Sequence, residues 1–172
     1  MSDTEHERLE EAGLDPGSEG IEDSPETDQA HWVRQAAAVV GMVFLVVGLA
    51  GFVPGVTTGL DDLRISGDES GALLLGTFQV SILLNVAHLL CGVLGLGLAR
   101  TTGHAVLFLL GGGAALLLLT YQGLVVDGHP ADNVLSLNAA DNWWHLGVGL
   151  GLVLLGLLGL RAAVASGEPV DQ

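Results

Sequence analysis

Seven polar side chains stand in or beside apolar stretches of this chain: Gln79, Asn85, His88, Asn138, Asp141, Asn142 and His145. Asp141 lies four residues before His145, so on a helix of 3.6 residues per turn both share one face. A carboxylate and an imidazole so placed can pass a proton, hold a metal ion, or bind one another. Asn85 and His88, three residues apart, share a face in the same way. Ionisable groups at membrane depth are functional candidates by default. The plainer chemistry is an interhelical hydrogen bond from a neutral imidazole, worth roughly 1 kcal/mol. That is the reading adopted for His88, ahead of a cofactor ligand or a proton relay. For Asn138 through His145 the reading is capping and anchoring: Asp141 or Asn138 caps a helix, and Trp143 and Trp144 sit at headgroup level. Asp141 and His145 remain weak metal candidates. No cofactor is expected. There is no phosphate loop, nucleophile elbow, HExxH or cysteine pair, so the chain does not read as an enzyme. Cys91 is alone, which forbids an intrachain disulfide.

The elements that must position these groups are membrane spans. The chain of 172 residues is 49% hydrophobic yet has a formal charge of −15. The two facts separate along the sequence, because eleven of the 20 acidic residues precede Ala30. Residues 1–31 therefore read as a disordered acidic cytoplasmic tail, too poor in apolar surface to offset its ordering entropy. So acidic a tail excludes nucleic acid as its partner. Residues 32–163 read as an all-α transmembrane domain, and 164–172 as a short cytoplasmic tail. A spanning helix needs about 20 mainly apolar residues. Four stretches qualify, at about 35–53, 72–99, 104–126 and 143–163. Loops 54–71 and 127–142 and a tight turn at Arg100–Gly103 join them into an antiparallel bundle. Arg8, Arg34, Arg100 and Arg161 fall on one side and Arg64 on the other, so both termini are expected inside.

Small residues predict the packing faces. Ala37, Gly41, Phe44, Gly48 and Gly51 recur at helical spacing. So do Ser81, Asn85, His88, Gly92 and Gly95, and Asp141, His145, Gly149, Leu152, Gly156 and Gly159. Lipid gives helices no hydrophobic reason to pair, so close backbone approach at such residues supplies the contact. With the second span beginning at residue 72, His88 lies roughly 24 Å below the outer edge and His145 about 3 Å below it, by the helical rise. On those depths the two imidazoles cannot share one ion, whose ligands lie within about 2–2.6 Å of it.

Three motifs carry a resemblance. Gly51-Phe52-Val53-Pro54-Gly55 closes the first span. Leu75-Gly76-Thr77-Phe78-Gln79-Val80-Ser81 is followed by Asn85-Val86-Ala87-His88-Leu89 and Gly92-Val93-Leu94-Gly95. The third is Asn138 through His145. In this order they resemble the DUF4383 family of small four-span bacterial membrane proteins, common in actinobacteria, over about residues 32–161. The resemblance implies the topology and supplies no chemistry. The family pattern has His directly before the Asn of the second motif; here that residue is Leu84, so a His pair one turn apart is missing.

The function expected is therefore a non-enzymatic packing or partner-binding bundle in the plasma membrane. Its partners would be membrane lipid, a second copy or another membrane protein. The alternative is a redox or metal-handling protein using His88 or the Asp141/His145 pair. A small transporter or channel subunit ranks last, because tight glycine faces leave little room for a lumen.

Overall fold

A computed structural model describes residues 25–67, 69–125 and 133–165. The acidic stretch ahead of Pro25, residues 127–132 of loop 127–142 and the stretch after Ala165 lie outside the described residues. Among the described residues there are four helices: α1 (Pro25–Ala50), α2 (Ile82–Leu98), α3 (Thr102–Val125) and α4 (Ala139–Ala165). Between α1 and α2 come β1 (Thr57–Thr58), a 3-10 turn (Leu60–Asp62), β2 (Leu73–Leu74) and β3 (Phe78–Gln79). The His31–Ala50 part of α1, all of α3 and all of α4 are long and apolar enough to cross a membrane.

The expected second span at 72–99 is corrected. Only 17 residues, Ile82–Leu98, are helical. At about 1.5 Å each they reach about 25 Å, short of the ~30 Å hydrocarbon layer. The apolar residues ahead of them fold instead into a three-stranded antiparallel sheet, with Thr57 opposite Leu74 and Leu74 opposite Phe78. Two local causes explain this. Ser81 has extended backbone and accepts a hydrogen bond at Oγ from the Leu84 N–H at 3.2 Å, so it caps α2 where it stands. Leu75 and Gly76 both have positive φ, at 52° and 68°, and turn the chain between β2 and β3. Ala72, Leu74 and Val80 form a small buried core under the sheet, joined by Val47, Ala50 and Phe78.

Leu75 holds its left-handed conformation with its side chain 69% exposed, so packing does not explain its identity. Asn tolerates positive φ far better than Leu. Leu75→Asn, which places Asn before Gly76 at the turn, is expected to raise unfolding free energy by about 0.5–1 kcal/mol. A fall in stability in detergent would show that Leu75 is held by something else, such as lipid.

α1 begins at Pro25, ahead of the Gln35 start read from hydropathy, and Pro at a first helical position suits its fixed φ. It ends at Ala50 rather than Val53. There the chain turns through Phe52 N–H to Leu49 O and Val53 N–H to Ala50 O, and Thr57 Oγ1 donates to Ala50 O at 2.9 Å.

The helices pack in two antiparallel pairs. α1 lies along α2, with Gly41 against Gly92 and Leu96, and Gly48 against Asn85 and Leu89. α3 lies along α4, with Gly113 against Gly149 and Val153, and Gly156 against Leu110. Although a three-residue link joins α2 to α3, those two meet far less than the members of either pair. The main core, built on Val33, Ala37, Val106, Leu109, Leu116 and Leu152, joins the pairs. The small-residue faces are the buried faces: Gly41, Gly48, Gly51, Asn85, Gly92, Gly95, Asp141, His145, Gly149, Gly156 and Gly159 are all buried.

Arg34 Nε donates to Ala99 O at 3.4 Å, and Gly159 sits against Val33 and Val106. Arg34, Arg100 and Arg161 therefore gather at one end of the bundle. Arg64, whose carbonyl accepts from Ile82 N–H at 3.0 Å, stands at the other.

Candidate functional site: a polar cap and a histidine-lined cavity

At the end of the bundle that carries the sheet, polar side chains form a cap. Asn138 precedes α4, and its Oδ1 accepts from Asp141 N–H at 3.0 Å. Asp141 Oδ2 accepts in return from Asn138 N–H at 2.9 Å. This reciprocal pair is a capping box, with Asn and Asp in the two roles, and it satisfies donors that a helix start leaves open. The same Asp141 oxygen accepts from Gln79 N–H at 3.1 Å, so it also ties α4 to β3. Asn138 Nδ2 donates to Thr77 O at 2.8 Å. Both capping readings were therefore half of one device, and the hydrogen bond considered between Asp141 and His145 is not formed. Asp141 is only 4% exposed, and its Oδ2 is given to two backbone N–H groups.

Ser70, Asn133 and Ser136, which the sequence did not single out, complete the cap together with Gln79 and Ser81. Ser70 Oγ donates to Val80 O at 2.6 Å, and Gln79 Nε2 donates to Ser70 O at 2.7 Å. Ser81 Oγ, besides capping α2, donates to Leu135 O at 3.2 Å. Asn133 bonds Leu137 through both its amide atoms, and Ser136 Oγ donates to Gly67 O. The signal in sequence was the recurrence of Ser and Asn at the edges of apolar runs, where such side chains serve turns and caps. Which carbonyl each would find was not legible, because the partners are up to 69 residues away.

Below the cap the polar groups behave differently. Asn85 is 1% exposed, its side chain presses on Gly51, and its Nδ2 has no partner. Asn142 presses on Gly123 in the same manner, and its Oδ1 has none. His145 is 4% exposed and its Nδ1 is unpartnered. His88 Nδ1 stands 2.8 Å from Leu84 O. A carbonyl only accepts, so Nδ1 carries the hydrogen, and a neutral His88 keeps its lone pair on Nε2.

The predicted separation of His88 from His145 is wrong. Their ring centroids are 6.3 Å apart, with planes 31° from parallel. The difference arises at the start of α2, which is Ile82 rather than residue 72. From Ile82 His88 is six residues in, and from Ala139 His145 is also six residues in. Both imidazoles thus lie about 9 Å below their helix starts by the helical rise. Phe44 of α1 is 5.6 Å from the His88 ring. The two histidines line a cavity of about 140 Å³ with Val40, Val43, Phe44, Trp144 and Val148. Trp143 and Trp144 are 71% and 59% exposed, and Trp144 also packs on Phe78 at 5.8 Å. As for metal, no group of three His, Cys, Asp or Glu residues comes together among the described residues.

No curated protein and no solved structure matches the chain. A family model described as Domain of unknown function (DUF4383) matches residues 34–158, a stretch that contains the capping box, both cavity histidines and the glycine-packed faces up to Gly156. On that match the chain belongs to the DUF4383 family, as a membrane-embedded helical protein of a family with no assigned role.

Proposed function

We propose that this is a non-enzymatic plasma-membrane protein with both termini cytoplasmic, whose four helices all cross a bilayer that thins locally around the short α2, and whose bundle binds a partner or lipid-soluble ligand without transforming it. The observation that carries the reading is the division of labour among its polar groups. Asp141, the one buried carboxylate among the described residues, holds two backbone N–H groups through Oδ2 and makes no hydrogen bond to His145. The imidazoles instead line a cavity. A binding wall is present without an acid–base partner beside it. Native mass spectrometry of protein released from mild detergent tests this. A stoichiometric small molecule, second copy or other membrane protein is expected; a bare monomer overturns the reading.

The proposed orientation rests on Arg34, Arg100 and Arg161 at one end and Arg64 at the other, since cytoplasmic segments hold the excess of basic residues. In a Cys91→Ala background, an impermeant thiol reagent applied from outside should label a cysteine placed at Asn138 and miss one placed at Thr102. The reverse pattern would invert the protein.

A second reading, metal or redox handling, gains from the 6.3 Å approach of His88 and His145. It ranks below the first because a third ligand is missing among the described residues. Elemental analysis of the purified protein decides it: one equivalent of a transition metal, lost in His145→Ala, would move it to first place.

A further inference from the structure

We infer that the cavity between α1 and α4 is a binding site for a single hydroxylated aromatic ring, a phenol-class headgroup whose O–H is donated to His88 Nε2. The inference rests on the binding reading above and names the chemistry of its ligand. Four observations converge on it.

The first is size. A cavity of about 140 Å³ is close to the ~150 Å³ of an apolar protein cavity that takes up benzene. One six-membered ring fits this volume. The second is the wall. Phe44, His88, Trp144 and His145 present ring faces and edges, and the remaining lining is aliphatic. Aromatic ligands gain from offset and edge-on contacts with such walls.

The third is hydrogen-bond polarity. Because His88 Nδ1–H is committed to Leu84 O at 2.8 Å, the neutral ring offers only a lone pair at Nε2. No hydrogen bond engages Nε2 among the described residues. A lone pair calls for a donor, which a hydroxyl supplies and a carbonyl or ether does not. His145, with Nδ1 unpartnered and the residue 96% buried, stands 6.3 Å away across the same space. Its imidazole has both a donor and an acceptor nitrogen for the same hydroxyl or a second substituent.

The fourth is access. Val39 and Val43, on the α1 side of the cavity, are 62% and 53% exposed, and Trp144 on the α4 side is 59% exposed. The space therefore opens sideways between the helices, level with the middle of the apolar His31–Ala50 stretch. A ring could enter from the hydrocarbon, and an alkyl tail could remain there.

The test uses the full chain in mild detergent, labelled with 15N-histidine, and three probes: phenol, anisole and toluene. Phenol should bind saturably and move the Nε2 resonance that disappears in His88→Gln. Anisole, which cannot donate, should bind about fivefold more weakly, the ratio expected from one lost hydrogen bond. Val43→Phe, which fills the opening from an exposed position, should abolish phenol binding while leaving the unfolding temperature unchanged. Toluene binding as tightly as phenol, with the His88 resonance unmoved, would make this an apolar void and overturn the proposal. So would the lack of saturable phenol binding in folded protein, or a stoichiometric metal ion on the two imidazoles. A small molecule retained in the native mass spectrum, combined with no phenol binding, would remove this inference while the binding reading stands.

Discussion

Asp141→Ala is expected to lower the unfolding free energy by about 3 kcal/mol, because it strands two backbone donors, at Asn138 and Gln79, that one carboxylate oxygen now satisfies. A lost helix cap alone costs about 1 kcal/mol. The excess comes from the second bond, which links α4 to a strand 62 residues earlier in the chain. Asp141→Asn keeps an acceptor oxygen and should lose only about 1 kcal/mol, the difference between charge-assisted and neutral bonding. Asp61→Ala, an exposed carboxylate on the 3-10 turn at the same end, should stay within about 0.5 kcal/mol of the parent protein. Reversible unfolding in mixed micelles, followed by helical circular dichroism, orders the three. If Asp141→Ala matched Asp61→Ala in stability, the cap would not be what joins sheet to helix. Asp141 would then have to be read as a site residue.

Substitution at the α1–α2 contact should have an effect of similar size and opposite outcomes at two glycines of one helix. A Cβ added at Gly92 would lie 2.7 Å from Leu45 N and 2.8 Å from Gly41 O, both backbone atoms that cannot yield without moving α1. Gly92→Ala should therefore destabilise by about 2–3 kcal/mol, the range of overpacking in a tight interior. At Gly97 an added Cβ meets nothing within 4 Å. Gly97→Ala should stabilise by about 0.5–1 kcal/mol through the lower backbone entropy of alanine in a helix. The comparison separates packing from propensity, since propensity alone favours alanine at both positions. Equal stabilisation by both substitutions would mean that α1 and α2 do not approach as closely as Gly41 and Gly92 require.

Much of the architecture was determined by sequence alone. Apolar length marked α1, α3 and α4, because the bilayer demands spans of a set size and the chain must supply them locally. The recurrence of Gly41, Gly48 and Gly51, of Gly92 and Gly95, and of Gly149, Gly156 and Gly159 marked the buried faces. Helical periodicity is a local property, and in lipid only small residues let backbones touch. Asn138 and Asp141 were legible as a cap for the same reason: a cap acts within one turn.

Tertiary structure decided what depends on chain segments far apart. Hydropathy could not divide residues 72–99 into sheet and helix, since both bury apolar side chains; pairing of β2 with β1 and capping by Ser81 made the division. That shift of ten residues carried His88 up beside His145 and turned two separate imidazoles into one cavity wall. Asp141 could be placed on its helix from sequence, but its bond to Gln79 could not, because a carboxylate carries no mark of which distant N–H it will meet. Spacing reports neighbours along one helix, whereas the chemistry of this protein lies in contacts between helices whose relative depth only the folded chain establishes.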